Sequence, residues 1–236
     1  MKKIICLILS LLLLLLLVGC GSENLEVPEA VIEKRVEEFV SSREIEENDG
    51  YSGKSLIITS HNPNGEDHTD TVQATLKCDY KYGQVIYDLQ YVFQYDRTSD
   101  LWSCIDNKDN TRTVLDKNLL TGSYSADWFG VGNAYHAAFV LEFGDGDEVT
   151  VIVNSVVDSD ALGQKTDSWQ SSGTLNETHI SSLDVPDELT VLSCQSLEVN
   201  DPVTGIKGFY FSPVIGILLD VTGSVGGYME SVEKID

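Results

Sequence analysis

Imidazole and carboxylate groups crowd one short stretch of this chain, where His61, Glu66, Asp67, His68 and Asp70 follow one another closely. Such a set can hold zinc or relay a proton. The spacing is not that of two histidines on one helix turn, and loop histidines without a fixed partner are ordinarily just solvated. A second stretch, Asp158-Ser159-Asp160-Ala161-Leu162-Gly163, matches a calcium loop at its first, third and sixth positions. Leu162 then stands at the fifth position and Trp169 at the twelfth, where a bidentate glutamate belongs, so the match fails. Gly144-Asp145-Gly146-Asp147-Glu148 gathers three carboxylates. Asp-Gly turns recur for backbone reasons alone, and a solvated hairpin tip is the expectation there. No metal and no cofactor is assigned to any of these groups.

Nucleophilic catalysis has no assembled motif. The Gly-x-Ser-x-Gly elbow and the phosphate-cradling Gly-x-x-x-x-Gly-Lys loop are both missing from the sequence. His136 and His179 could each act as a base, but neither has a partner identifiable from sequence. A pair of glycosidase carboxylates depends on separation in a cleft, and 38 acidic residues single out no pair. Two aromatic clusters could stack on a sugar or a partner. They are Tyr124, Trp128 and Phe129 before Gly130–Gly132, and Phe209, Tyr210 and Phe211 after Gly208. Burial in a sheet is the plainer expectation for both.

The elements that would position these groups are legible from periodicity. Pro28 opens a helix whose first turn carries Glu29 and Glu33, suited to the positive end of its dipole. Val31/Ile32, Val36 and Phe39/Val40 form one apolar stripe. Glu44, Glu46 and Glu47 would sit badly at the negative end, which places the stop near Ser41–Arg43. From Lys54 the period changes to two, predicting strands at Ser55–Ser60, Thr71–Tyr80, Val85–Tyr95 and around Trp102–Cys104. The expected fold is therefore α+β followed by all-β: an N-terminal helix packed on a four-strand antiparallel meander over residues 28–118, then a β-sandwich or barrel-like domain over 119–236. In the second part, pairing Phe143 with Val149 keeps both apolar sets on one face. Further strands are expected at Ser168–Leu175, Leu189–Val199, Ile206–Phe211 and Gly227–Ile235.

The helix-then-meander order of Pro28–Asn107 resembles the architecture of cystatin-like and nuclear-transport-factor-like small domains. The inhibitory Gln-x-Val-x-Gly loop of cystatins is missing; Gln84-Val85-Ile86-Tyr87-Asp88 has neither the valine nor the glycine in place. No inhibitor residue is carried over. Cys78 and Cys104 fall about 20 Å apart on the expected register, at ~3.3 Å per residue, so two separate buried thiols are expected.

The start of the chain carries an address. Lys2-Lys3 precede a largely apolar run of fifteen residues, Ile4–Val18, too short for the roughly 20 that a spanning helix needs. Leu17-Val18-Gly19-Cys20 resembles the lipobox of a bacterial lipoprotein precursor. That resemblance implies a signal peptide at 1–19, cleavage before Cys20, and a diacylglycerol with palmitate-type chains on its sulfur. Residues 20–27 become a lipidated tether that spans only about 25 Å at full stretch, and the protein is membrane-attached at the extracytoplasmic face of the cell envelope. Processing leaves 13 basic against 38 acidic residues, a formal charge of −25. Such a charge disfavours nucleic acid as a partner, because affinity there rests on Lys and Arg neutralising phosphates. The function expected is a non-catalytic interaction or ligand-binding module, attached to the membrane through the lipid on Cys20, with an envelope protein or a glycan as partner. The alternative is an envelope hydrolase acting on cell-wall or glycan substrates. A transporter's solute receptor is a third class, disfavoured by the short chain and the lack of repeated βα units.

Overall fold

The computed structural model describes residues 25–48, 50–130, 133–159, 163–181, 191–199, 201, 205–223 and 226–235. The leader, with Cys20, lies outside the described residues. Among the described residues the protein is mostly β, built of antiparallel sheets with one helix longer than a single turn and no closed barrel. Helix α1 spans Glu29–Ser42, within a residue of the expected start and stop. The first sheet has the order β1-β2-β3-β4, with β1 Gly53–Asn64, β2 Thr69–Tyr80, β3 Gly83–Asp96 and β4 Leu101–Leu115.

The chain forms two compact units. Of the described residues, one holds those up to Glu38, Ile58–Ala74 and Leu89–Lys108; the other holds those within 39–57, Thr75–Asp88 and those from Asp109 on. In the first unit Ile32 and Val36 of α1 are buried, as are Val72, Leu89, Tyr91 and Phe93 of the sheet. Arg35 lays its guanidinium 5.9 Å above the Tyr91 ring. In the second unit Val40 is buried and Phe39 meets Tyr87 edge-on at 5.2 Å. The apolar stripe of α1 thus does what its spacing requires, covering sheet residues within each unit.

The rest of the second unit is built from two five-stranded sheets. One has the order β14-β5-β6-β7-β8, the other β13-β12-β11-β10-β9. The first comprises β5 Gly122–Gly130, β6 Asn133–Phe143, β7 Glu148–Ser159, β8 Gly163–Thr174 and β14 Glu233–Lys234. The second comprises β9 Asn176–Ser181, β10 Val191–Glu198, β11 Ile206–Ser212, β12 Gly216–Gly223 and β13 Gly226–Ser231. Neighbours in space are neighbours in sequence except at one edge, where β14 returns to pair with β5. Phe143 pairs with Val149, the register that alternation requires. The inner faces share one core in which Phe139 meets Phe209 at 5.1 Å and Phe143 meets Phe211 at 5.5 Å, both edge-on. At Leu175 and at Val232 the strand bends out of one sheet and into the other.

Two expectations change. The fourth strand is longer than the one expected around Trp102–Cys104, because β4 continues to Leu115 although Ile105–Asn110 are exposed. An edge strand tolerates polar residues on both faces, and charges there discourage pairing with another chain. Cys104 is half-buried rather than buried, with its thiol 3.3 Å from the Asp106 carbonyl; Cys78 and Cys194 are buried, and none of the three is in a disulfide among the described residues. Burial pushes the Cys78 thiol up to about 12.

Candidate functional site

The imidazole–carboxylate stretch comes together only in part. His61 lies in β1, not in a loop, with Nδ1 2.7 Å from Asp70 Oδ2, a separation at which the ring N–H donates to the carboxylate. Asp70 is fully buried and accepts twice more, from the Val27 N–H and the Asn62 N–H, both at 3.0 Å. Among the described residues no hydroxyl or thiol hydrogen-bonds His61, so the pair lacks a nucleophile. Its geometry is that of a clamp holding the backbone just before Pro28. His68 sits in the tight turn with φ 54 and keeps Nδ1 buried without a partner, while Glu66 and Asp67 are exposed. Among the described residues no group of three or more His, Cys, Asp or Glu is arranged to hold a metal ion.

The other sequence candidates disperse. His136 does have a partner, Asp127, at 2.7 Å across the β5–β6 pair, and both are exposed. The Gly144–Glu148 tip is met by Lys117, whose Nζ donates to the Gly146 carbonyl and lies 3.5 Å from Asp147. An ammonium thus stands where a metal would sit. Of the failed calcium loop, residues 160–162 lie outside the described residues, and Trp169 Nε1 donates to Asp201 at 3.0 Å. The side chains of His179 and Phe129 are likewise outside them. Tyr124 and Trp128 are core residues.

The second aromatic cluster divides. Phe209 and Phe211 point inward and are fully buried, whereas Tyr210 lies on the outer face of the same strand. There the sheet forms an open groove of about 590 Å³ over β10, β11 and β12, walled by Glu198, Lys207, Tyr210 and Asp220 and floored by Gly208. The register explains the arrangement. Glu198 faces Gly208 and Gly208 faces Asp220, so two carboxylates flank a residue with no side chain. Their Cα atoms are two strand spacings apart, roughly 9.5 Å.

A β-bulge adds the cation. The pairing of β11 with β12 shifts between Ile206 and Gly208, leaving Lys207 as the extra residue. Ile206 and Phe209 both face the core, so Lys207 and Gly208 share the outer face. One supplies charge and the other space. A side chain at 208 would put its Cβ 3.1 Å from the Leu197 carbonyl, tight enough that the neighbouring strand would have to give by a few tenths of an ångström. The Tyr210 phenol is pushed up, first by burial and then by the Asp220 carboxylate, to which it is hydrogen-bonded. Lys207 and Glu198 are exposed and have no ion pair or hydrogen bond of their own side chains among the described residues.

No family model, no curated protein and no solved structure matches this chain. The groove therefore has to be read from its own chemistry. Around Gly208 it holds a cation and an anion whose side chains have no ion pair or hydrogen bond among the described residues, a second carboxylate and a half-buried ring. No serine, threonine or cysteine in it is held by a base, so covalent acyl chemistry has no starting point there. Of the residues that line it, sequence had marked only Tyr210, and only as a member of an aromatic cluster.

Proposed function

We propose that this chain is an exported, lipid-anchored protein whose folded part is a non-catalytic ligand-binding module at the outer face of a bacterial membrane. The groove over Gly208 is the observation that carries the binding half of this reading. It is concave, lined by convergent polar groups, and built by a bulge that re-aims Lys207. The address half rests on Lys2-Lys3, the apolar run Ile4–Val18 and the Leu17–Cys20 lipobox. In this reading residues 28–118 are a helix-plus-sheet domain next to the membrane and 119–236 a β-sandwich domain carrying the groove. The partner is an envelope protein or a glycan, engaged from a tether too short to reach far.

Fractionation tests the address. The native chain goes to the membrane fraction and is released by detergent, and the Cys20→Ser variant goes to the soluble fraction or remains an uncleaved precursor. Equal distribution of native chain and variant would sink the lipid anchor.

A second reading has one observation behind it. Glu198 and Asp220 flank Gly208 from its two neighbouring strands on one face of the sheet, and a pair of carboxyls across a groove is what a glycosidase uses. As a hydrolase acting on cell-wall glycans, the protein would release reducing ends from purified wall material, and Asp220→Asn would abolish the release. The unpaired Lys207 beside these acids fits binding better, because a nearby cation favours the ionised form of the carboxyl that must donate a proton.

A further inference from the structure

We propose that the groove over Gly208 recognises a zwitterion, the paired ammonium and carboxylate of an α-amino acid or of a short peptide, an inference that rests on the binding reading above. The outer face of β10–β12 sets charges of both signs in a row without letting them neutralise one another. Glu198 and Lys207 are both exposed, and neither has an ion pair or hydrogen bond of its side chain among the described residues. Asp220 is engaged by the Tyr210 hydroxyl and stays a fixed negative wall.

Each simpler ligand leaves part of this row unmet. An anion on Lys207 is repelled by Glu198 and Asp220. A cation between the carboxylates is repelled by Lys207. A neutral polyol leaves every formal charge as it was. A molecule carrying both charges meets both, its carboxylate on Lys207 Nζ and its ammonium on Glu198, and charge-assisted hydrogen bonds are the stronger kind. Gly208 lets the backbone of such a ligand approach the sheet, and the half-buried Tyr210 ring covers its apolar part. The bulge is what makes this arrangement. In a regular strand position 207 would alternate to the core face, and the groove would hold acids alone.

Equilibrium dialysis of radiolabelled glycine and of radiolabelled glycylglycine against the full chain, isolated from membranes in detergent, tests the proposal. Glycinamide lacks the carboxylate, propionate lacks the ammonium and glucose lacks both, so they serve as competitors. Glycine or glycylglycine binds saturably, and each competitor is about ten-fold weaker or worse. Tighter glycine points to a free amino acid, tighter glycylglycine to a peptide. Glu198→Gln and Lys207→Met each weaken binding about ten-fold while leaving the thermal midpoint in place, since both residues are exposed. Glycinamide, propionate or glucose competing as well as the zwitterion, or no saturable binding, overturns the proposal. The outcome is separable from the address: a lipid-anchored chain that ignores zwitterions loses this inference alone, and a chain that binds them without the anchor loses only its place.

Discussion

Asp70 shows how much one side chain holds in place. Its carboxylate is fully buried and takes three donors, two of them backbone N–H groups with no other described acceptor. Replacing it with alanine leaves Val27 and Asn62 unsatisfied, and a buried unpaired donor costs about 1–3 kcal/mol. Asp70→Ala is therefore expected to lose about 3 kcal/mol in urea unfolding, and Asp70→Asn less. A loss below about 0.5 kcal/mol, the range of an ordinary surface change, would show that the clamp holds nothing. Cys78 and Tyr87 make a pH prediction at the same scale. Burial pushes the Cys78 thiol from 9.0 and the Tyr87 phenol from 10.0 up to about 12 each. Both groups are neutral when protonated, so between about pH 9 and 12 the unfolded chain loses protons that the folded one keeps. Stability then falls as pH rises through that window, by up to ~1.4 kcal/mol per pH unit for each group. Cys78→Ala makes the alkaline limb shallower; an unchanged slope would remove the thiol from this account.

Among the elements, the end of β4 is held by two devices in the second unit. Gly83, at φ 145, lies so close to β4 that a Cβ there would stand 2.1 Å from the Val114 carbonyl. No small shift relieves such an overlap with backbone, and Gly83→Ala is expected to cost about 3 kcal/mol or to prevent folding. Glu177 supplies the other device. Its carboxylate accepts from the Thr113 N–H and hydroxyl and from Gln195 Nε2. A Glu177–Thr113 double-mutant cycle should give a coupling of about 1–2 kcal/mol. Additive single changes would show that the two side chains act independently. Legibility differs between elements for reasons of pattern. Helix α1 and the β6–β7 hairpin were readable because each buries one face and exposes the other, so the apolar period carries the register. β12 was not, because Leu218 and Leu219 are both buried and a continuous apolar run has no period. β5 went unread as a strand: its alternating Tyr124, Ala126 and Trp128 stand among serines and glycines and read first as an aromatic cluster. The groove needs a register across three strands and a bulge, neither of which periodicity encodes. Gly208 inside a strand pattern was the available signal, since such a glycine marks a bulge or a close approach.

For the whole molecule, charge bears on the proposed address. The chain's formal charge of −23 repels itself, and the folded state brings those charges closer than the unfolded one does. Raising salt from about 0.01 M to about 0.15 M shortens the screening length from ~30 Å to ~8 Å and should raise the thermal midpoint. A midpoint that falls over that range would mean attraction between charges outweighs repulsion. Acidity of this kind also disfavours an anionic lipid surface, so the proposed attachment to a membrane would rest on the covalent anchor. One diacyl anchor and a short tether would hold the groove near the bilayer, within reach of small molecules and of neighbouring envelope proteins. The most direct measurement is the mass of the N-terminal peptide from protein extracted from bacterial membranes. The account predicts a peptide that begins at Cys20 and carries a diacylglycerol on its sulfur. A peptide that begins at Met1 or Lys2, with an unmodified Cys20, would contradict it.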